Sequence, residues 1–126
     1  MTTNSTYTQK FLDTFGNIIV FRLAEMYLTR AEANFRLGTA IGATPLADIN
    51  AIRTRANLKP ATTVTLASIL KERHLELAFE GHTLYDIKRN KGNVGTLPYN
   101  SPKLILPIPQ REVDVNPKLV QNEGYN

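Results

Sequence analysis

The chain has 126 residues, 42% hydrophobic and 21% charged, so it is long and apolar enough to form one packed domain. It contains no cysteine, which excludes disulfides, cysteine nucleophiles and cysteine-bound zinc. Fifteen basic and eleven acidic residues give a net charge of +4, a balance that leaves an anionic partner open. No apolar run reaches the ~18 residues of a membrane span, and the first residues lack the apolar centre of a secretory signal.

Residues 1–17 are mostly polar and predict an irregular lead-in. We expect its larger apolar side chains to pack locally: Tyr7, Phe11, Leu12 and Phe15.

A first helix is predicted within residues 18–38, because apolar side chains recur there at helical spacing and Gly38 can end it. The main stripe contains Val20, Ala24, Tyr27, Leu28, Ala31 and Phe35. A second stripe contains Leu23, Met26, Ala33 and Leu37. Two stripes predict a helix that is packed on two sides.

Two further helices have clear starting signals. Thr44 and Pro45 predict the start of a second helix, which runs to about Ala56 and forms an antiparallel hairpin with the first. Its inward residues are predicted to be Leu46, Ile49, Ile52 and Ala56. Thr65 caps a third helix, expected to run to Glu80 before Gly81. Its inward face is predicted to contain Leu66, Ile69, Leu70, Arg73 and Leu77.

A shorter fourth helix is predicted over residues 82–90, either as a separate element or as a kinked continuation of the third, because Gly81 alone does not decide between a stop and a bend. Residues 18–91 then form the helical part of the chain. Repeated proline and glycine then break any helical period, and residues 92–126 predict an irregular, proline-rich C-terminal strap. Within it we expect an extended segment from Lys103 to Leu106 and a helical turn from Gln110 to Val113. The whole chain is interpreted as a single domain.

Four blocks occur in the following order: FRLAEMYLTRAEA, INAIRTRA, ILKERHLELAFEGHTLYDIKRN and PIPQREVDVNPKLVQNEGY. Together they resemble the C-terminal signature of the SusD/RagB family and cover most of the chain, from about Phe21 to Tyr125. The resemblance implies an all-α fold of tetratricopeptide-like helix hairpins.

The resemblance also implies a function: non-catalytic capture of an oligosaccharide or polysaccharide at the surface of the bacterial outer membrane. The captured glycan would pass to a SusC-like, TonB-dependent transporter. Family members are normally several times longer, with a lipoprotein signal, an anchoring cysteine and further helix pairs. We therefore expect this chain to be a fragment or a truncated member that supplies mainly the helical scaffold.

Glu72, Glu76 and Glu80 are spaced i, i+4, i+8, so they share one helical face, as a carboxylate pair for glycoside hydrolysis would require. Basic residues close in sequence, Arg73, Lys88 and Arg89, can neutralise them. We therefore interpret the row as part of a structural ion-pair network, which comprises Glu72, Arg73, Glu76, Glu80, Asp86 and Arg89.

Other chemical sites have little support. His74 and His82 match no metal-binding spacing, so we predict no bound metal and no cofactor. The chain contains neither a G-x-S-x-G nucleophile motif nor a phosphate-binding glycine loop. Its basic residues lack interleaved aromatics, which disfavours nucleic acid. These basic residues are Arg53, Arg55, Lys59, Lys88, Arg89 and Lys91.

Sugar recognition needs an aromatic face together with planar polar side chains. Tyr99 lies in a predicted loop near Asn93 and Asn100, and it is the candidate glycan contact. Two rival functions stay open: a tetratricopeptide-like protein–protein adaptor, and a small glycoside hydrolase that uses the glutamate row. Our interpretation is that the chain is not an enzyme.

Overall fold

The structure is a computed structural model that describes residues 8, 10–13, 15–17 and 20–125. Within these residues it contains five α-helices, and a single β-bridge joins Val94 and Leu97. The helices are α1 (Leu23–Leu37), α2 (Pro45–Arg55), α3 (Leu66–Glu76), α4 (His82–Arg89) and α5 (Gln110–Val115). The all-α prediction is confirmed. The chain divides into two compact units, Met1–His82 and Thr83–Asn126.

The core of the first unit lies where α1 packs against both α2 and α3. Its buried apolar residues are Ala24, Leu28, Ala31, Ile49, Ile52, Ile69 and Leu77. Tyr27 and Val64 pack against this cluster from its edge. Helical spacing in three segments therefore produces one shared core, as the sequence predicted.

The helix ends follow local signals. The Thr44 hydroxyl accepts a hydrogen bond from the Ala47 N–H at 3.2 Å, and Pro45 occupies the first helical position of α2. Thr65 and Ser68 form a reciprocal capping box at the start of α3. Gly38 ends α1 with a left-handed backbone, φ 65°. All three capping positions agree with the predictions.

Two helix boundaries were predicted wrongly. The first helix begins at Leu23, whereas Val20 precedes it and is 73% exposed. The third ends at Glu76, about one turn before Glu80, and a series of turns leads to Gly81. At both boundaries, residues far apart in sequence form ion pairs that hold the chain, and a local sequence pattern does not reveal such pairs.

Several apolar residues expected inside the protein lie at its surface. On α1, Leu23, Met26 and Leu37 of the second stripe are 66%, 45% and 73% exposed, so this helix is buried on one side only. Ala56 is also exposed. In the lead-in, the exposed side chains are those of Phe11, Leu12 and Phe15, while Tyr7 lies outside the described residues.

Two carboxamides, of the buried Asn34 and the half-buried Asn50, hold the loops between the helices. The Asn34 side chain donates to the carbonyls of Ile41 and Ala43, at 3.0 Å each, and accepts from the Ile41 N–H at 3.1 Å. Asn50 both donates to the Ala61 carbonyl and accepts from the Ala61 N–H, at 3.0 and 2.7 Å. Each carboxamide forms hydrogen bonds with backbone groups that lie outside the helices, so these side chains fix the loop after α1 and the loop after α2.

A carboxamide also binds backbone groups in the proline-rich part of the second unit. The Gln121 carboxamide accepts from the Ile108 N–H and donates to the Ile108 carbonyl, at 2.8 Å each. The helical turn predicted from Gln110 is confirmed as α5. The extended segment predicted from Lys103 is wrong at its start, because Pro102–Leu104 forms a 3-10 helix. Proline at its first position supplies the φ that this turn needs.

Candidate functional site

The glutamate row lies on α3 and on the turn that follows it, and each carboxylate is bound by a cation. The Glu72, Glu76 and Glu80 side chains are 12%, 11% and 18% exposed. Arg53 donates to Glu72 at 3.0 Å, and Arg55 donates to Glu76 at 2.6 Å. Both arginines lie on α2, so these pairs join α2 to α3.

Arg22, the residue before α1, binds two of the three carboxylates. Its Nε and Nη2 donate to the two oxygens of Glu80 at 2.9 and 2.8 Å, a bidentate arrangement. Its Nη1 donates to the Glu76 carboxylate, to the same oxygen that Arg55 binds. The backbone at Arg22 is extended, so the guanidinium attaches the start of α1 to the end of α3.

Lys10 completes the arrangement from the lead-in. Its ammonium donates to Glu80 Oε1 at 2.6 Å and to the carbonyls of Glu76 and Ala78 at 2.9 Å each. Carbonyls at the C-terminal end of a helix lack partners within the helix and attract cations. We call Lys10, Arg22, Arg55, Glu76 and Glu80 the charged cluster.

The charged cluster keeps Glu80 ionised. Burial by itself would raise the pKa of Glu80, but hydrogen bonds from Arg22 and Lys10 and the attraction of both cations outweigh it, so the pKa lies below its ordinary value. The reciprocal hydrogen bond to Glu80 raises the pKa of Arg22. A general acid for glycoside hydrolysis needs the opposite shift, a carboxyl group with a raised pKa.

Arg73 and Arg89, which the sequence suggested as partners of the row, contact other side chains. Arg73 is buried, donates to the Thr29 hydroxyl at 3.2 Å and lies 3.6 Å from the Glu25 carboxylate. Arg89 binds Asp86 at 2.8 Å within α4. The cations that the structure places on the row were missed because they are far from it in sequence.

One ion pair between α1 and α2 had no sequence signal. Asp48 is 2% exposed and accepts from Arg30 Nε at 2.9 Å and from Arg30 Nη2 at 2.6 Å. The Arg30 guanidinium carbon also lies 5.4 Å from the centre of the Tyr27 ring, within cation–π range. The pair joins the two helices across the edge of the core.

The two histidines lie on α3 and at the start of α4. His74 is exposed on α3, and His82 Nδ1 lies 3.8 Å from Glu25 Oε1. In the part of the chain that the structure describes, no three His, Asp or Glu side chains are grouped as metal ligands. No helix within that part is long and apolar enough to cross a membrane.

Tyr99, the candidate glycan contact, is half-buried in a turn of the second unit. The Ser101 N–H donates to the Pro98 carbonyl at 2.9 Å and closes this turn. Asn93 and Asn100 are exposed, as carboxamides that bind sugar hydroxyls would have to be. The role of Tyr99 stays a prediction, and nothing in its geometry assigns a ligand.

Comparisons with known proteins identify the family. The sequence profile of the SusD family matches residues 2–101 and 92–125. The starch-binding protein SusD of Bacteroides thetaiotaomicron is 38% identical over 128 aligned residues, which cover 86% of this chain and 22% of that protein. The SusD-like protein P38 of Formosa agariphila is 35% identical, covering 86% of this chain and 25% of that protein.

Solved structures give the same result for the fold. Surface glycan-binding protein A of Bacteroides uniformis superposes with a TM-score of 0.65 and 30% identity, over 81% of this chain and 26% of that one. A SusD superfamily protein of Parabacteroides distasonis superposes with a TM-score of 0.64 and 25% identity, over 84% and 27%. The chain thus spans about a quarter of the length of these relatives. It has their tetratricopeptide-like helical fold, and it belongs to the SusD family.

Proposed function

We propose that this chain is the helical scaffold of a protein that captures oligosaccharides or polysaccharides at the outer membrane. The captured glycan passes to a SusC-like, TonB-dependent transporter. The observation that carries the proposal is membership of a family whose relatives are named for binding starch and surface glycans. The transporter and the location at the cell surface come from the family resemblance.

The charged cluster supports a scaffold role. The ion pairs of Lys10 and Arg22 connect residues that are 54 to 70 positions apart, and they join the lead-in and the start of α1 to the end of α3. Such long-range connections fix how the segments of the first unit pack. They therefore stabilise a frame on which recognition residues can be held rigidly.

The same cluster supports binding without catalysis. Hydrolysis requires one carboxylic acid with a raised pKa and a second carboxylate free to act as nucleophile or base. In the row, Glu72, Glu76 and Glu80 are each bound by arginine, and the pKa of Glu80 is lowered. Incubation with maltoheptaose should release no reducing sugar, whereas release that Glu76→Gln abolishes would contradict this part of the proposal.

Tyr99 is the proposed sugar contact in the second unit, and a matched substitution tests it. Tyr85 is 72% exposed on α4 and serves as the control tyrosine in the same unit. Isothermal titration of the 126-residue chain should use maltoheptaose, cellohexaose and laminarihexaose. We expect Tyr99→Ala to weaken the affinity for the glycan that binds, and Tyr85→Ala to leave it within about twofold. Equal effects would remove Tyr99 from the site.

A second candidate function, a protein–protein adaptor, is favoured by one observation. The second stripe of α1 presents Leu23, Met26 and Leu37 to solvent at helical spacing, the pattern by which a helix binds another helix. A pull-down that retains proteins through this stripe, together with no glycan binding, would favour the adaptor. Loss of the captured protein in Met26→Glu would locate the contact on α1.

A further inference from the structure

Side chains hold the last described residues of the second unit in place. Residues 121–125, which we call the tail segment, lie beside the proline-rich residues 102–109. Three tail side chains bind backbone groups there, and these contacts are Gln121 with Ile108 at 2.8 Å, Asn122 with Leu106 at 2.7 Å and Tyr125 with Lys103 at 3.2 Å. The partner numbers fall as the tail numbers rise, so the two segments run antiparallel.

The prolines explain why side chains make these contacts. Pro107 and Pro109 have no N–H, so the Ile108 N–H is the only backbone donor within residues 107–109. The Gln121 carboxamide accepts from this N–H and donates to the Ile108 carbonyl, as a peptide group of a neighbouring strand would. Among residues 102–125, all of which the structure describes, no backbone–backbone hydrogen bond joins the two segments.

The tail segment contacts the 3-10 helix Pro102–Leu104 at two successive residues. Gly124 has a φ of 90°, and a Cβ at this position would lie 3.3 Å from the Cβ of Pro102. Only glycine combines this backbone with such a close approach. The next residue, Tyr125, donates its hydroxyl to the Lys103 carbonyl within the same helix. Both contacts attach the tail segment to the 3-10 helix.

Hydrogen bonds connect the 3-10 helix to the turn that contains Tyr99. The Leu104 N–H donates to the Ser101 carbonyl at 3.0 Å, and the Ser101 N–H donates to the Pro98 carbonyl at 2.9 Å. A 3-10 helix of three residues has poor hydrogen-bond geometry and little stability by itself. The contacts from the tail segment therefore stabilise the helix and, through it, the Tyr99 turn.

We propose that the tail segment positions the Tyr99 turn for ligand binding. Gly124 and Tyr125 hold the 3-10 helix, and the helix holds the turn. A turn that is ordered before binding loses less conformational entropy when a ligand binds, so the affinity rises. This inference rests on the proposed glycan contact of Tyr99. It adds residues that act on Tyr99 through the backbone and do not themselves touch the ligand.

Amide hydrogen exchange of the 126-residue chain tests the tail segment without any ligand. Tyr125→Phe keeps the ring and removes the hydroxyl, and Gly124→Ala adds a Cβ at the close approach. Each should speed exchange of the Ser101 and Leu104 N–H groups by about fivefold, because these amides exchange when the local structure opens. Glu123→Gln, at an exposed position in the same segment, is the matched control and should change these rates by less than about twofold.

Affinity measurements test the link to Tyr99. In isothermal titration with maltoheptaose, cellohexaose and laminarihexaose, Tyr125→Phe should weaken binding of the glycan that wild type binds by about three- to tenfold. In the double variant Tyr99→Ala/Tyr125→Phe, the affinity should equal that of Tyr99→Ala alone, because the ring that the tail segment positions is absent. Additive effects would show that Tyr125 acts independently of Tyr99 and would overturn the inference.

The exchange rates distinguish failure of this inference from failure of the proposed function. If Tyr99→Ala weakened glycan binding while Tyr125→Phe and Gly124→Ala changed neither affinity nor exchange at Ser101, the positioning role would be wrong and the proposed function would stand. If the wild-type chain bound none of the three oligosaccharides, glycan binding by this chain would be wrong. Faster exchange in Tyr125→Phe would then still support the hold of the tail segment on the turn, and unchanged exchange would refute it.

Discussion

Replacing Glu76 with glutamine tests the structural role of the charged cluster. One oxygen of this carboxylate accepts from both Arg22 and Arg55, and the side chain is 11% exposed. Glu76→Gln keeps the size and one acceptor oxygen but removes the charge. Two arginines then face a neutral amide.

The two arginines should contribute unequally to the loss. Arg55 is 61% exposed, so its ion pair is worth about 0–1 kcal/mol. Arg22 is 22% exposed, and a hydrogen bond to a charged group at such a site is worth roughly 1.5–3 kcal/mol, part of which the amide oxygen retains. We expect a loss of about 1–2 kcal/mol in the free energy of unfolding and a fall in Tm of roughly 4–8 °C.

Thermal unfolding followed by circular dichroism at 222 nm measures this change. Glu112→Gln is the matched control, because Glu112 is 47% exposed and its partner Arg111 is 84% exposed, so its effect should stay below about 0.5 kcal/mol. The affinity for the bound glycan should be the same in both variants. If Glu76→Gln unfolded at the same temperature as the control, the cluster would not stabilise the fold.

Three further predictions concern single contacts. The pKa of Glu80 is lowered in the folded state, so the stabilisation from its ionised form is fully present above the unfolded pKa of about 4.3 and is lost as pH falls through the folded pKa. In urea unfolding between pH 7 and pH 3, the free energy of unfolding should therefore fall less steeply with pH for Glu80→Gln than for wild type. Asn34→Ala should lower the free energy of unfolding in urea by about 2–3 kcal/mol, because it leaves backbone groups of the loop without hydrogen-bond partners. Asn93→Ala, at an exposed position, is the control and should lower it by less than about 0.5 kcal/mol. Gly38→Ala should lower the free energy of unfolding by about 1 kcal/mol through backbone strain alone, since an added Cβ meets no atom within 4 Å. An unchanged urea midpoint would show that α1 can end without a left-handed residue.

The parts of the fold that the sequence predicted correctly depend on nearby residues. The hydroxyls of Thr44 and Thr65 accept hydrogen bonds from N–H groups three residues later, and Pro45 has no N–H that needs a partner. Their capping role is therefore visible in the sequence. Gly38 ends α1 for a similarly local reason. Helical spacing also predicted most of the core residues, because the periodicity of a helix determines which side chains share a face.

The errors in the prediction arise from contacts between distant residues. Val20 continues the apolar period of α1, but Arg22 keeps an extended backbone with its guanidinium on Glu76 and Glu80, more than fifty residues away. Nearness in sequence suggested Arg73 as a partner of the glutamate row, and it gave no sign of the 3.6 Å ion pair that Arg73 forms with Glu25 on α1. No local pattern encodes either pairing.

The candidate site was the least predictable feature. Tyr99 was selected because loop tyrosines beside asparagines suit sugar hydroxyls, which is a statement about composition. The left-handed backbone at Phe11 and Phe79, with φ angles of 70° and 67°, is likewise not indicated by their sequence neighbours.

The central claim is that this chain is a rigid helical scaffold that carries glycan contacts. An amide-proton NMR titration of the 126-residue chain with maltoheptaose, cellohexaose and laminarihexaose tests it most directly. We expect a dispersed spectrum in which one glycan produces saturable shifts near Tyr99, while core amides such as those of Leu28 and Ile49 do not move. A dispersed spectrum that none of the three glycans changes would contradict glycan binding by this chain.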